Sequence, residues 1–293
     1  MKLCRYGAPG QERPGIVDNQ GRIRDLSAYI ADIDPEVLAS GKLSGLAGLP
    51  IDELPLVAQE VRLGPPVSGV SKFIGIGLNY RDHAAETGQP VPTEPIVFLK
   101  ATSCLSGPND AIVKPPHSTR LDWELELGVI IGRQARYIGE AEALAYVAGY
   151  CIVNDVSERS FQFQSSQWDK GKGCDSFGPI GPWLVTRDEV PDPQNLDMWL
   201  EVNGQRRQEG NTRTMIFSVA QIVSYCSRYM TLQPGDVICT GTPPGVGMAM
   251  KPEPVWLRPG DQVHLWIEGL GEQRQTVVMF TSADAVGMPV SEI

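Results

Sequence analysis

The sequence of 293 residues lacks several features that would point to particular classes of protein. It has 25 basic and 35 acidic residues and no run of basic side chains, so nucleic acid and anionic membranes are poor candidate partners. Its strictly apolar runs are only a few residues long, far short of a membrane-spanning segment. The first residues, MKLCRYGAPG, turn polar at once, and we therefore expect no signal peptide.

Cysteine and histidine are too few and too scattered to form a disulfide framework or a zinc site. The six cysteines include no CxxC pair, which favours reduced thiols in a cytoplasmic protein. The three histidines do not lie near a cysteine pair, so no zinc centre is expected. Apolar residues, in contrast, make up 42% of the chain, a content typical of a globular protein with a substantial core.

The chain is predicted to form two units joined by the Pro/Gly/Ser-rich stretch LGPPVSGVSK at 63–72. Residues 1–66 suggest a small N-terminal α/β domain, and residues 67–293 a larger second domain. The clearest predicted strands are 73–80, 121–131, 147–154, 181–186, 196–203, 236–241 and 262–267, and the clearest helices are 139–149 and 218–230. Many short strands with few helices favour a mostly β fold of the α+β class over alternating βαβ units.

The stretch RLDWELELGVIIG at 120–132 has apolar residues on one face at period two and Asp122, Glu124 and Glu126 on the other. Carboxylates at i and i+2 project to the same side, roughly 7 Å apart. If that face is buried, they are costly unless a cation lies between them, and hard oxygen ligands suit Mg²⁺, Mn²⁺ or Ca²⁺. The simpler alternative is a strand with one solvated face.

Two observations favour the metal site over the solvated face. Gly128 and Ile130 continue the acidic face and are not typical of a solvated surface. A second apolar strand, VAGYCIVND, ends in Asp155, where a third ligand could lie. Elsewhere, His83 and Glu86 are spaced to share a helix face, as a catalytic base with its orienting carboxylate or as an ordinary surface pair.

Several motifs together resemble the fumarylacetoacetate hydrolase family. They are GLNYRDHAAETG, PIVFLK, GPND, DWELELGVIIG, NDVSERSFQ, WDKGKGCDSFGPIGPW and CTGTPPGVG, in the family's order, and they cover about residues 70–280. The resemblance implies a mixed β-sandwich roll preceded by a variable N-terminal domain. The stretch QFQSSQWDKGKGCDSFGP is most similar to the bacterial branch acting on 2,4-diketo-3-deoxy-L-rhamnonate or fuconate.

The resemblance also implies a role for particular residues. It assigns the metal, Mg²⁺ or Mn²⁺ with Ca²⁺ as a third candidate, to Glu124, Glu126 and Asp155, and it leaves Asp122 without a ligand role. It makes His83 and Glu86 a catalytic dyad on a mobile lid.

The resemblance also implies a lysine that lies over the substrate. It assigns this role to Lys172, with Lys170 as the rival position. Arg159 and Gln162 are expected to contact the acyl end of the substrate. The Thr242 hydroxyl, with the backbone N–H groups of the GTPPGVG turn, is a candidate to hold a substrate carboxylate.

The implied function is a metal-dependent hydrolase that cleaves the C3–C4 bond of a 2,4-diketo acid to give pyruvate and a carboxylic acid. Oxaloacetate decarboxylation and 2-keto-4-enoate hydration on the same site are the alternatives. A binding protein for 2-keto acids without catalysis, or an assembly subunit on this fold, is a different class of hypothesis, but it would predict a missing ligand or dyad residue. The resemblance further implies a homodimer that binds a small 2-keto acid.

Overall fold

The structure, a computed structural model, describes residues 1–58 and 60–281. The strands of the described residues are β1 (Lys2–Tyr6), β2 (Arg13–Val17), β3 (Ile23–Asp25), β4 (Phe73–Gly77), β5 (Ile96–Lys100), β6 (Leu105–Ser106), β7 (Ile112–Lys114), β8 (Leu121–Asp122), β9 (Leu125–Ile131), β10 (Val147–Asn154), β11 (Ser157–Glu158), β12 (Gly178–Thr186), β13 (Asp197–Val202), β14 (Gln205–Asn211), β15 (Val237–Cys239), β16 (Gln262–Ile267) and β17 (Gly271–Met279). The α-helices are α1 (Pro35–Ala39), α2 (Lys42–Leu46), α3 (Arg81–Thr87), α4 (Glu140–Ala143), α5 (Arg159–Gln162), α6 (Asp169–Lys172) and α7 (Val219–Tyr229).

Two large sheets form the body of the described chain. The larger runs β3-β2-β1-β12-β10-β9-β15-β4-β5, with β6 pairing to β12, and the smaller runs β14-β13-β16-β17-β7. Gln273 and Gln275 of β17 donate hydrogen bonds to backbone carbonyls of the larger sheet and its adjoining loop, and so tie the two sheets together. This mostly β arrangement with few helices confirms the predicted α+β fold class.

The N-terminal segment is part of the larger sheet. Strand β1 pairs antiparallel with β12, in the register Lys2 with Val185 and Leu3 with Leu184. Leu3 and Ile16 are buried in the same hydrophobic cluster as Leu184. The two predicted parts of the chain thus share one sheet. Their division into two domains near residue 66 stays a prediction.

The predicted elements agree with the structure mainly where the sequence pattern of a strand or of a helix is unambiguous. Strands 147–154 and 262–267 are found at these bounds, and α7 lies within the predicted 218–230. In α7, the side chain of Ser218 caps the helix, and Val219, Ile222 and Cys226 are buried on one face, as the spacing indicates.

The strands predicted at 73–80, 181–186, 196–203 and 236–241 are present with different bounds. Two other predicted elements differ more strongly from the structure. Helix 139–149 is only the short α4 followed by a 3-10 turn at Leu144–Tyr146, because β10 begins at Val147. The strand predicted at 121–131 is broken between β8 and β9. Both of its faces are buried, so the alternative of one solvated face is wrong. No helix in the described part of the chain is long and apolar enough to cross a membrane.

Candidate metal centre and active site

The pairing of β9 with β10 brings three carboxylates together. Val153 is opposite Glu126 in this antiparallel register, and the Asp155 N–H, two residues further on, donates to the Glu124 carbonyl at 2.8 Å. Residues opposite each other across antiparallel strands point to the same face, and so do residues two apart on one strand. Glu124, Glu126 and Asp155 therefore share one face.

These three carboxylates converge more closely than their backbone spacing suggests. One ligand oxygen from each of Glu124, Glu126 and Asp155 lies within 4.8 Å of the others, and all three residues are buried. The glutamate side chains are long, and the strand is broken at Trp123. Both features allow the carboxylate oxygens to converge. The structure thus brings the three predicted ligands into one cluster.

Three buried cations surround the cluster. The Lys172 Nζ donates to Glu124 and to Asp155, at 2.7 Å in each case. The Arg159 guanidinium donates to Glu124 at 2.5 Å and to Asp122 at 2.9 Å, and the Lys100 Nζ donates to Asp155 at 2.6 Å. These pairs compensate much of the electrostatic cost of burying the carboxylates.

The pKa values follow from this arrangement. Burial by itself raises the pKa of Glu124, but Arg159 and Lys172 outweigh burial and hold the pKa well below its ordinary value. Burial, together with the Asp155 and Glu124 carboxylates, raises the pKa of Glu126 well above its ordinary value. Burial lowers the pKa of Lys172, but Asp155 and Glu124 raise it by more, so the ammonium stays charged.

Glu126 shows that the cluster fits a divalent cation. Within the described residues it takes part in no ion pair, and the one hydrogen bond it accepts comes from the Gly241 N–H at 2.6 Å. A buried carboxylate with so little compensation is costly, and three convergent carboxylates are the donor set that hard divalent ions prefer. Glu124, Glu126 and Asp155 would hold such an ion.

The predicted dyad lies at the same cavity. Helix α3 places His83, which is 7% exposed, with its Nδ1 at 3.3 Å from the Glu86 carboxylate. The Gly245 N–H fixes that carboxylate through contacts of 3.0 Å to both oxygens. The pair is therefore held by the turn after β15 and is not an ordinary surface pair.

A cavity of about 230 Å³ joins these groups, and its lining residues include His83, Glu124, Glu126, Arg159 and Lys172. Gln162 and Thr242, both predicted to bind substrate, also line it. Lys170, the rival of Lys172, is exposed at the surface and lies outside the cavity lining. Most of the residues predicted for catalysis, metal binding and substrate binding thus line one cavity. Glu86 and Asp155 are not among its lining residues.

Some predicted substrate contacts have protein partners in this arrangement. The Arg159 guanidinium is bonded to two carboxylates and to the Gln162 amide oxygen at 3.0 Å. The Thr242 hydroxyl donates to the Leu125 carbonyl and accepts from Gln208 Nε2. Arg159 therefore positions Glu124, and the Thr242 proton is directed away from the cavity.

Two residues of the site were not foreseen from the sequence. Lys100 closes β5 and bonds to Asp155 and to the carbonyl oxygens of Val156 and Lys172. Gln208 of β14 accepts from the Leu125 N–H, between the two glutamates. A lysine ending the apolar run PIVFLK was a usable signal, whereas Gln208 gave none.

The sequence model of the family described as fumarylacetoacetate (FAA) hydrolase C-terminal matches residues 72–278. A protein of Burkholderia multivorans (strain ATCC 17616 / 249), whose name assigns it provisionally to the hydrolases, is 64% identical over 276 residues, or 94% of this chain and 98% of its own.

Two solved structures are similar along nearly the whole chain. Maleylpyruvate hydrolase from Sphingobium sp. SYK-6, in complex with manganese(II) and pyruvate, is 31% identical with a TM-score of 0.80, covering 96% of this chain and 100% of its own. The 2-hydroxyhepta-2,4-diene-1,7-dioate isomerase from Mycobacterium marinum is 33% identical with a TM-score of 0.72, covering 95% and 98%. The chain described here belongs to the fumarylacetoacetate hydrolase family.

Proposed function

We propose that the protein is a metal-dependent hydrolase of acylpyruvates, which cleaves the C3–C4 bond of a 2,4-diketo acid to give pyruvate and a carboxylic acid. The observation that carries this proposal is the shared cavity, which places a base, His83, beside two of the three carboxylates of the candidate metal centre. The solved relative that binds manganese and pyruvate supports it. Mg²⁺ and Mn²⁺ are the proposed metals.

The chain's own residues supply the steps of hydrolysis. When bound, a divalent cation supplies Lewis-acid polarisation of the 2-keto acid end of the substrate. His83, oriented by Glu86, takes a proton from the water that attacks C4. The Lys172 ammonium stabilises the oxyanion that develops at C4.

Bond cleavage then follows from this geometry. The C3–C4 electron pair moves to C3, where conjugation with the C2 carbonyl spreads the charge. Return of the proton from His83 to C3 gives pyruvate, and the acyl group leaves as a carboxylic acid.

The resemblance names 2,4-diketo-3-deoxy-L-rhamnonate or fuconate as the first substrate to test. Its cleavage would give pyruvate and lactate. Oxaloacetate decarboxylation and 2-keto-4-enoate hydration remain alternatives, and the isomerase among the solved relatives adds a double-bond shift to the outcomes to be distinguished.

Product analysis by NMR tests the proposal. The protein with Mg²⁺ or Mn²⁺ would be given a 2,4-diketo-3-deoxy sugar acid, a simple acylpyruvate, oxaloacetate and a 2-hydroxy-2,4-dienoate. We expect pyruvate and a carboxylic acid from the diketo acids. We expect this activity to be lost in Glu124→Ala and kept in Glu140→Ala, which removes an exposed carboxylate away from the cavity.

The His83→Asn variant tests the role of the base independently of metal binding. It should lower kcat by about 10²- to 10⁴-fold, the usual contribution of a positioned base, and leave metal affinity unchanged. Turnover of oxaloacetate alone, hydration alone or isomerisation alone would overturn the hydrolase proposal in favour of that reaction.

A further inference from the structure

One wall of the active-site cavity is apolar and aromatic, in contrast to the charged floor. Phe98 and Trp168 line it, and each is half-buried. Resting on the proposed function, we propose that this wall is the acyl subsite and that it selects small, uncharged, mainly apolar acyl groups. Acylpyruvates whose acyl group ends in a second carboxylate would then be poor substrates.

The aromatic pair continues directly from the catalytic groups. The Phe98 ring centroid lies 5.2 Å from Lys172 Nζ, and the ring meets Trp168 edge-on at 5.5 Å between centroids. Trp168 and Lys172 also belong to the same turn, since Trp168 is the N-cap of α6. A substrate whose C4 oxyanion lies at Lys172 would therefore extend its acyl group along these rings.

Two glycines of β4 make room for the rings. A Cβ built on Gly77 would lie 2.6 Å from Trp168 Cζ3, and one built on Gly75 would lie 2.1 Å from Phe98 Cζ. Both distances are shorter than side chains tolerate, so any larger residue would displace the rings from their present positions. The position of the wall thus depends on the sequence FIGIG of the neighbouring strand.

The cavity offers no spare cation for a second carboxylate within the described chain. Its basic lining residues are His83, Arg159 and Lys172. Arg159 and Lys172 are each bonded to two carboxylates of the catalytic centre, and His83 faces Glu86. A carboxylate placed against the aromatic wall would lose its water without gaining a cationic partner, and this disfavours its binding.

The hydroxyls at this cavity are also engaged. Thr87 Oγ1 donates to the His83 carbonyl, and Thr242 Oγ1 donates to the Leu125 carbonyl. A long polyhydroxylated acyl group would have the amides of Gln89 and Gln162 as its main side-chain partners, whereas an acyl group with a methyl and one hydroxyl needs fewer of them. At about 230 Å³ the cavity also favours a small substrate.

The test compares kcat/KM for acetylpyruvate, which has an apolar acyl group, with that for fumarylpyruvate, whose acyl group ends in a carboxylate. With Mn²⁺ present, we expect the wild type to favour acetylpyruvate about 100-fold, because an unpaired carboxylate is costly to desolvate. Trp168→Ala should lower kcat/KM for acetylpyruvate about tenfold through the lost apolar contact. Trp199→Ala, a tryptophan of β13 outside the cavity lining, is the control and should leave it unchanged.

Two further variants test the wall, one by adding a positive charge and the other by crowding the Trp168 ring. Trp168→Arg adds a cation beside the acyl group, and we expect it to raise kcat/KM for fumarylpyruvate while lowering that for acetylpyruvate. Gly77→Ala, compared with Gly139→Ala, where a Cβ would have an ordinary contact at 3.6 Å, should lower kcat/KM more for benzoylpyruvate than for acetylpyruvate. Circular dichroism melting of each variant separates loss of fold from loss of specificity.

The outcomes distinguish this inference from the proposed function. Faster hydrolysis of fumarylpyruvate than of acetylpyruvate by the wild type would overturn the inference and leave the hydrolase proposal standing. An unchanged preference in folded Trp168→Ala and Trp168→Arg would overturn it as well. Failure to hydrolyse any acylpyruvate would overturn the proposed function, and the acyl subsite with it.

Discussion

Lys100 is one of the three buried cations that balance the charge of the carboxylate cluster. It is 2% exposed, and its ammonium bonds to Asp155 and to the carbonyl oxygens of Val156 and Lys172. Burial lowers the pKa of Lys100, but Asp155 raises it by more, so the side chain remains charged. Removing this charge would leave the buried Asp155 carboxylate with Lys172 as its remaining cationic partner among the described residues.

We therefore expect Lys100→Met to lower the free energy of unfolding of the metal-free protein by about 3–5 kcal/mol, the cost of breaking a buried ion pair. The exposed Lys170→Met is the matched control and should change the free energy by no more than about 0.5 kcal/mol. Urea unfolding of both variants measures this difference. Equal stability of the two variants would show that Lys100 does not hold Asp155.

The residues predicted from the sequence and those missed differ in a physical way. Glu124 and Glu126 could be found because they lie two apart on one strand, and the strand pattern alone places them together. Lys100 and Gln208 reach the site through pairing of distant strands, and the register of those strands is not visible in one sequence. Asp155 was suggested by its place at the end of an apolar strand and assigned by the family resemblance, and the pairing of β9 with β10 explains its position.

At the scale of elements, the β2–β3 hairpin carries a second buried charge cluster. The Asp18 side chain, between the two strands, is fully buried and accepts from the Arg22 and Arg24 guanidinium groups at 2.9 Å and from the backbone of Gln20 and Arg22. Burial raises the pKa of Asp18, but the Arg22 N–H and the two guanidinium groups outweigh it and lower the pKa.

A lowered pKa gives stability that is present above the pKa of the unfolded chain, about 3.9, and is lost as the pH falls towards the folded value. Asp18→Asn should therefore lower Tm at pH 7, and the gap to the wild type should narrow below pH 4. The exposed Asp52→Asn serves as the control. A gap in Tm that stays constant from pH 7 to pH 3 would contradict this account.

Among the elements, α7 could be predicted because its apolar residues follow one helical period and Ser218 caps its start, and β10 because it is a short apolar run that ends in polar residues. The break between β8 and β9 could not. The backbone N–H groups of Glu124 and Leu125 are satisfied there by the Asn154 and Gln208 side chains, from other strands. Side chains from distant parts of the chain thus replace the ladder that the strand pattern predicts.

At the scale of the whole molecule, the predicted N-terminal domain and the larger domain share one sheet and one hydrophobic cluster through β1 and β12. A shared core favours cooperative unfolding. We expect calorimetry to give a single transition for the full chain, and Mn²⁺ to raise its Tm because the ion binds the folded state. Two separate transitions would instead support independent domains. The homodimer implied by the resemblance stays a prediction.

The proposed function requires the carboxylate cluster to bind a metal ion. A Mn²⁺ titration followed by electron paramagnetic resonance tests this binding most directly. We predict one saturable Mn²⁺ site per chain in the wild type. Glu126→Gln keeps the side-chain size and removes the carboxylate that has no ion pair among the described residues. It should weaken binding by at least about tenfold, since even the loss of an outer-shell partner of a ligand has an effect of that order. No saturable site in the wild type, or equal affinity in the variant, would contradict the assignment of Glu124, Glu126 and Asp155 as the metal ligands.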